Sequence, residues 1–172
     1  MKSQEILDDK PLRRGGKGFT LVELLIVVAF IVLFATAVIP SYSSLYTVGR
    51  VDESADEIIQ SLRLARVRSI SRVNNNWHGV YFSINPSGPD SYTLFQGNNA
   101  SASYGNRISS FDLIYSVPSS IMISTTLPGN EIIFARSSGA PSLAASQSIT
   151  LTHNSDDARV ILLNTAGLIE RQ

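Results

Sequence analysis

Cysteine is absent from all 172 residues, so no disulfide can staple this fold and no thiolate can bind a metal or attack a substrate. Histidine is nearly absent too, with only His78 and His153, far apart in the chain. No Cys–His zinc spacing, phosphate-cradling glycine loop or nucleophile-elbow motif is found. Neither an enzyme, a cofactor nor a resident metal is therefore expected. Asp156 and Asp157 sit together in a turn cluster, but two adjacent carboxylates lack the several oxygens that calcium takes. Net charge is missing as well: 14 basic residues balance 14 acidic ones. Such a chain has no global field with which to gather nucleic acid.

What the sequence does have is one long apolar run, residues 19–39, interrupted by a single ionisable side chain, Glu23. About twenty such residues in a helix cover the ~30 Å hydrocarbon core of a bilayer. Arg13, Arg14 and Lys17 precede the run, and no basic residue follows it until Arg50. The positive-inside rule then predicts a single-pass helix with a cytoplasmic N-terminus. A carboxylate inside such a span is costly and reads as functional. Ala35-Thr36-Ala37 also fits the cleavage rule of an ordinary secretory signal, and a plain anchor is a second bland reading. Neither gives Glu23 anything to do.

Lys17-Gly18-Phe19-Thr20-Leu21-Val22-Glu23 resembles the class III leader of type IV pilins and type II secretion pseudopilins. That resemblance implies cleavage by a prepilin peptidase between Gly18 and Phe19, N-methylation of Phe19, and a filament-assembly role for Glu23. It also implies other pilins or pseudopilins and a pilus or secretion assembly platform as partners. The localisation it implies is the inner membrane, with the head outside the cytoplasm. Leu64-Ala65-Arg66, Trp77 ahead of a strand, and Asn164 with Gly167-Leu168-Ile169 resemble, more loosely, GspH/FimT-type minor pilins. Many major pilins carry a C-terminal disulfide, which this chain cannot form.

The remaining organisation follows from periodicity. Residues 1–18 form a polar leader; without it nine basic and eleven acidic residues remain, a net −2. A helical pattern covers 19–39 and continues as an amphipathic extension over 40–73, with a kink expected at Pro40, which removes an N–H. Val51, Ala55, Ile58, Leu62 and Ala65 make one apolar stripe, expected to pack under a globular head. Asn74-Asn75-Asn76 ends the helix, and the period changes to two. Strands are expected at 80–84, 92–95, 111–115, 121–125, 131–135, 148–152, 159–163 and 168–170, separated by turn clusters, within a β-rich head of residues 74–172. The predicted fold class is α+β: a long N-terminal transmembrane and amphipathic helix packed on an antiparallel sheet. Trp77 is expected in the core where helix meets sheet.

An alternative function is DNA capture for natural transformation, as in some minor pilins of the resembled branch. Arg63, Arg66, Arg68 and Arg72, with Arg171, would supply phosphate contacts. Against it, four arginines over ten helical residues spread around the axis, and Glu170-Arg171-Gln172 is not an arginine-rich tail.

Overall fold

A computed structural model describes residues 18–98, 103–153 and 157–172, without the side chains of 36–47. The chain divides into two compact units, Met1–Tyr42 and Ser43–Gln172. Helix α1 is Leu21–Ile70. The Thr20 hydroxyl caps its start by accepting the Glu23 N–H at 3.2 Å, and Leu24 N–H donates to Thr20 O at 3.1 Å.

The expected membrane-spanning helix is corrected here. Among the described residues no helix is long and apolar enough to cross a membrane. The single-pass inner-membrane localisation rested on that span and falls with it. Pro40 lies among residues 36–47, so the kink expected there is outside the described side chains, as is most of the leader.

In the second unit the apolar stripe is the inner face of the helix: Val51, Ala55, Ile58, Leu62 and Ala65 are all fully buried. The helix ends where Arg72, Asn74 and Asn75 adopt positive φ, a left-handed conformation that asparagine tolerates better than most residues. Buried Ser69 ties this end to the first strand: its Oγ accepts the His78 N–H at 2.9 Å.

Among the described residues eight strands follow: β1 (His78–Ser83), β2 (Ser91–Gln96), β3 (Leu113–Ser116), β4 (Ile121–Thr125), β5 (Glu131–Phe134), β6 (Gln147–His153), β7 (Ala158–Leu163) and β8 (Ile169–Arg171). They form two antiparallel sheets, ordered β3-β2-β1-β5 and β4-β6-β7-β8, where one sheet was expected. Alternation reveals which face of a strand is buried but not its partner, so the division was not legible. The β1–β2 hairpin pairs His78 with Gln96 and Ser83 with Ser91. Both sheets contribute to the core under the helix, including Val80, Phe82, Leu94 and Ile132 from one and Ile123, Ile149, Leu151 and Ile161 from the other. Trp77 is only half-buried, not a core residue.

Asp90 holds the sheets together. It is buried, and its carboxylate accepts the Asn85 N–H at 2.7 Å and the Ile123 N–H at 2.6 Å. One acceptor therefore organises the β1–β2 turn and fastens β4 to it.

Candidate functional site

Two regions carry the residues singled out by sequence. In the first unit Gly18, Phe19 and Thr20 precede α1, and Phe19 is 79% exposed. A Cβ built on Gly18 meets nothing within 4 Å, so no packing among the described residues requires glycine there. The apolar side chains from Leu21 to Phe34 are exposed on every side of the helix, with Val27, the most covered, still 47% exposed. Glu23 is exposed in the first helical turn. Thr20 and Glu23 have the spacing of a capping box, a signal that sequence reading missed. An acid here also suits the positive end of the helix dipole. Part of what Glu23 does is therefore local.

The arginines meet a different fate. Arg66 donates from Nε to Gly139 O at 3.2 Å and from Nη2 to Ala166 O at 3.3 Å. It thus clamps the turn after β5 and the turn after β7 to the helix. This brings the 64–66 and 164–167 sequence motifs into contact, a pairing the sequence did not show. Gly139 and Gly167 adopt positive φ, and an added Cβ would press on Ile70 and on Arg66 respectively. Arg72 donates from Nε to Ser137 Oγ at 2.7 Å. Arg171 sits 3.0 Å from Asp56 and 3.7 Å from Asp52, and Arg159 bonds Asp52 at 2.6 Å. Acidic residues that looked like a solvated helix face are in part the partners of β7 and β8. Arg63 is exposed, and Arg68 borders a cavity.

That cavity, about 380 Å³, lies between the end of α1 and the start of β3 and includes His78, Gln96 and Asp112 in its lining. His78 is buried, and burial first, then the Arg68 charge, hold its pKa below the usual histidine value, against a hydrogen bond to the Asn76 backbone. Sequence reading treated His78 only as half of an absent catalytic pair. It did not see that β1 carries it into the interior. His153 is half-buried on β6. Asp156 lies outside the described residues, and among the described residues no cluster of three or more metal-ligating side chains occurs.

No family model, curated protein or solved structure matches the chain.

Proposed function

We propose that the chain is a structural subunit of a pilin-type filament, of the minor-pilin or pseudopilin kind. In this reading a prepilin peptidase cuts between Gly18 and Phe19 and methylates Phe19. The subunit then assembles with other pilin-type subunits through its N-terminal helix, driven by a pilus or secretion assembly platform. The observation that carries the reading is the exposure of apolar side chains all round the helix from Leu21 to Phe34. A helix apolar on every face has no side to offer water and is covered in its working state. The same apolar segments of neighbouring subunits, packed side by side, supply that cover. Gly18 answers no steric demand among the described residues, so an external reader of the bond gives the glycine a reason.

Glu23 has two separable roles here. Its backbone N–H engages the Thr20 cap. Its carboxylate pairs with the free amine that cleavage creates on Phe19 of a neighbouring subunit. Burying such a pair with one partner missing costs several kcal/mol, about 3–5, enough to abolish a weak lateral contact. Glu23→Gln separates the roles, because glutamine serves in a capping box but carries no charge. The variant is expected to be cut normally and lost from sheared filaments, by mass measurement and immunoblot in a strain lacking the native copy. Normal incorporation of Glu23→Gln would leave the residue as a cap alone. A mature chain that does not begin at methylated Phe19 would overturn the processing. Against the DNA-capture alternative, three of its five arginines, Arg66, Arg72 and Arg171, are engaged within the chain.

A further inference from the structure

The cavity at the end of α1 is lined by charges that do not balance. Arg68 is half-buried there and makes no hydrogen bond or ion pair among the described residues. Its place in the last turn of the helix suits the dipole, but the dipole leaves the guanidinium donors unclaimed. Asp112 is the other charged residue of the lining, and it is already neutralised. Its Oδ2 accepts Arg107 Nε at 2.6 Å, and Arg107 is itself held 3.8 Å from the centre of the Tyr104 ring. One positive charge is left over, and a ligand with a single negative charge balances it.

The same lining lacks a donor. The Asp112 side chain is 8% exposed, and its Oδ1 has no hydrogen-bond partner among the described residues. A carboxylate held ionised by an arginine only accepts, so the missing group is an N–H or O–H. Aspartate χ2 is a soft torsion, and a small rotation presents Oδ1 to such a donor. One amide donor of the lining is already spent, since Asn74 Nδ2 bonds Gln96 Oε1 at 2.7 Å. Buried His78 Nδ1 is also without a partner. It donates or accepts according to its tautomer, and a bridging water serves it in either form.

The rest of the wall is apolar and open. Val73, Phe111 and Leu113 line the cavity and remain exposed. Water satisfies the polar atoms but leaves these side chains uncovered. At about 380 Å³ the space is at the small end of ligand pockets.

The last residue of a polypeptide brings this set of groups together: one carboxylate, a neutral backbone N–H beside it, and a side chain. A free amino acid adds a second positive charge near Arg68, and a phosphate sets its charge against Asp112. We propose that the cavity captures the C-terminal residue of a partner polypeptide, with the carboxylate on Arg68, the backbone N–H on Asp112 Oδ1 and an apolar side chain against Phe111 and Leu113. This does not depend on the filament reading.

The experiment titrates the full chain, dispersed in a neutral detergent, into short peptides labelled at the N-terminus and ending in leucine or phenylalanine, read by fluorescence anisotropy. Binding is expected to fall by about tenfold or more when the terminal carboxylate is amidated, when the last amide is N-methylated, or when the last residue becomes glycine or glutamate. Arg68→Gln should erase the preference for the free acid over the amide, and Phe111→Ala should weaken both. Arg68 holds nothing else in place and Phe111 is exposed, so both variants should fold, as melts followed through Trp77 would show. Arg63→Gln, on the exposed helix face, should bind normally. Failure of every peptide to bind, or binding indifferent to both variants, overturns the proposal. Competition by free leucine as strong as by N-acetyl-leucine overturns the polypeptide terminus as the ligand. Binding that survives N-methylation overturns the part given to Asp112.

Discussion

Helix α1 is apolar in two different ways. From Leu21 to Phe34 it shows apolar side chains in every direction, whereas between Val51 and Ala65 one apolar stripe is wholly buried, with Leu64, Val67 and Ile70 exposed outside it. The second pattern carries its own cover: two sheets of the same chain close over Val51, Ala55, Ile58, Leu62 and Ala65. The first pattern cannot be satisfied by one partner surface, because no face is left for water. On the filament reading proposed above, the difference separates a stretch that stabilises its own chain from one that would stabilise an assembly.

Matched substitutions break that comparison most directly. Leu62→Asp places an unpaired charge in the core and is expected to cost more than about 4 kcal/mol, unfolding the head. Leu25→Asp should leave head stability unchanged while abolishing assembly. Thermal melts followed through Trp77, the only tryptophan, read both. Equal melting temperatures for the two variants would show the buried stripe misassigned.

Smaller effects sharpen the account of the head. Asp90→Ala should cost about 2–3 kcal/mol, since it leaves two backbone donors without their charged acceptor. Faster amide exchange at Ile123 is the specific sign. Gly79→Ala should cost about 1–3 kcal/mol, because its Cβ would overlap Ile132 O and stand 2.8 Å from the Phe95 ring.

His78 predicts a pH dependence. Its folded pKa lies below the ordinary histidine value of about 6.5, so near and below that pH the unfolded chain binds more protons than the folded one. Stability is therefore complete above about pH 6.5 and is lost as pH falls toward the lower folded pKa. A His78→Gln variant should lose this component of the slope in denaturant titrations across that window. The smallest effect belongs to the helix start: Thr20→Ala should cost about 1 kcal/mol of local helix stability and leave the head melt unmoved. Hydrogen exchange at Glu23 and Leu24 would register it.

Much of this protein was written locally. Period-two alternation marked the strands to within a residue or two, as with 121–125, because burial on one face imposes that pattern whichever strand lies alongside. The 51–65 stripe named its buried face for the same reason. Three asparagines announced the helix end, although Arg72 enters the left-handed region first. What sequence could not decide were the long-range pairings. The two-sheet split, the Asp90 link, the Arg66 clamp and the burial of His78 each join residues far apart in the chain, and nothing in one segment's composition encodes its partner. The arginines show this most clearly: as a local series they read as a solvated face with a nucleic-acid surface as the alternative, and only the fold laid Arg66 and Arg72 against turns some 65 to 100 residues away. The apolar N-terminal run misled in the opposite direction. Hydropathy reports that a segment avoids water, but what covers it is decided by the surfaces that reach it in three dimensions.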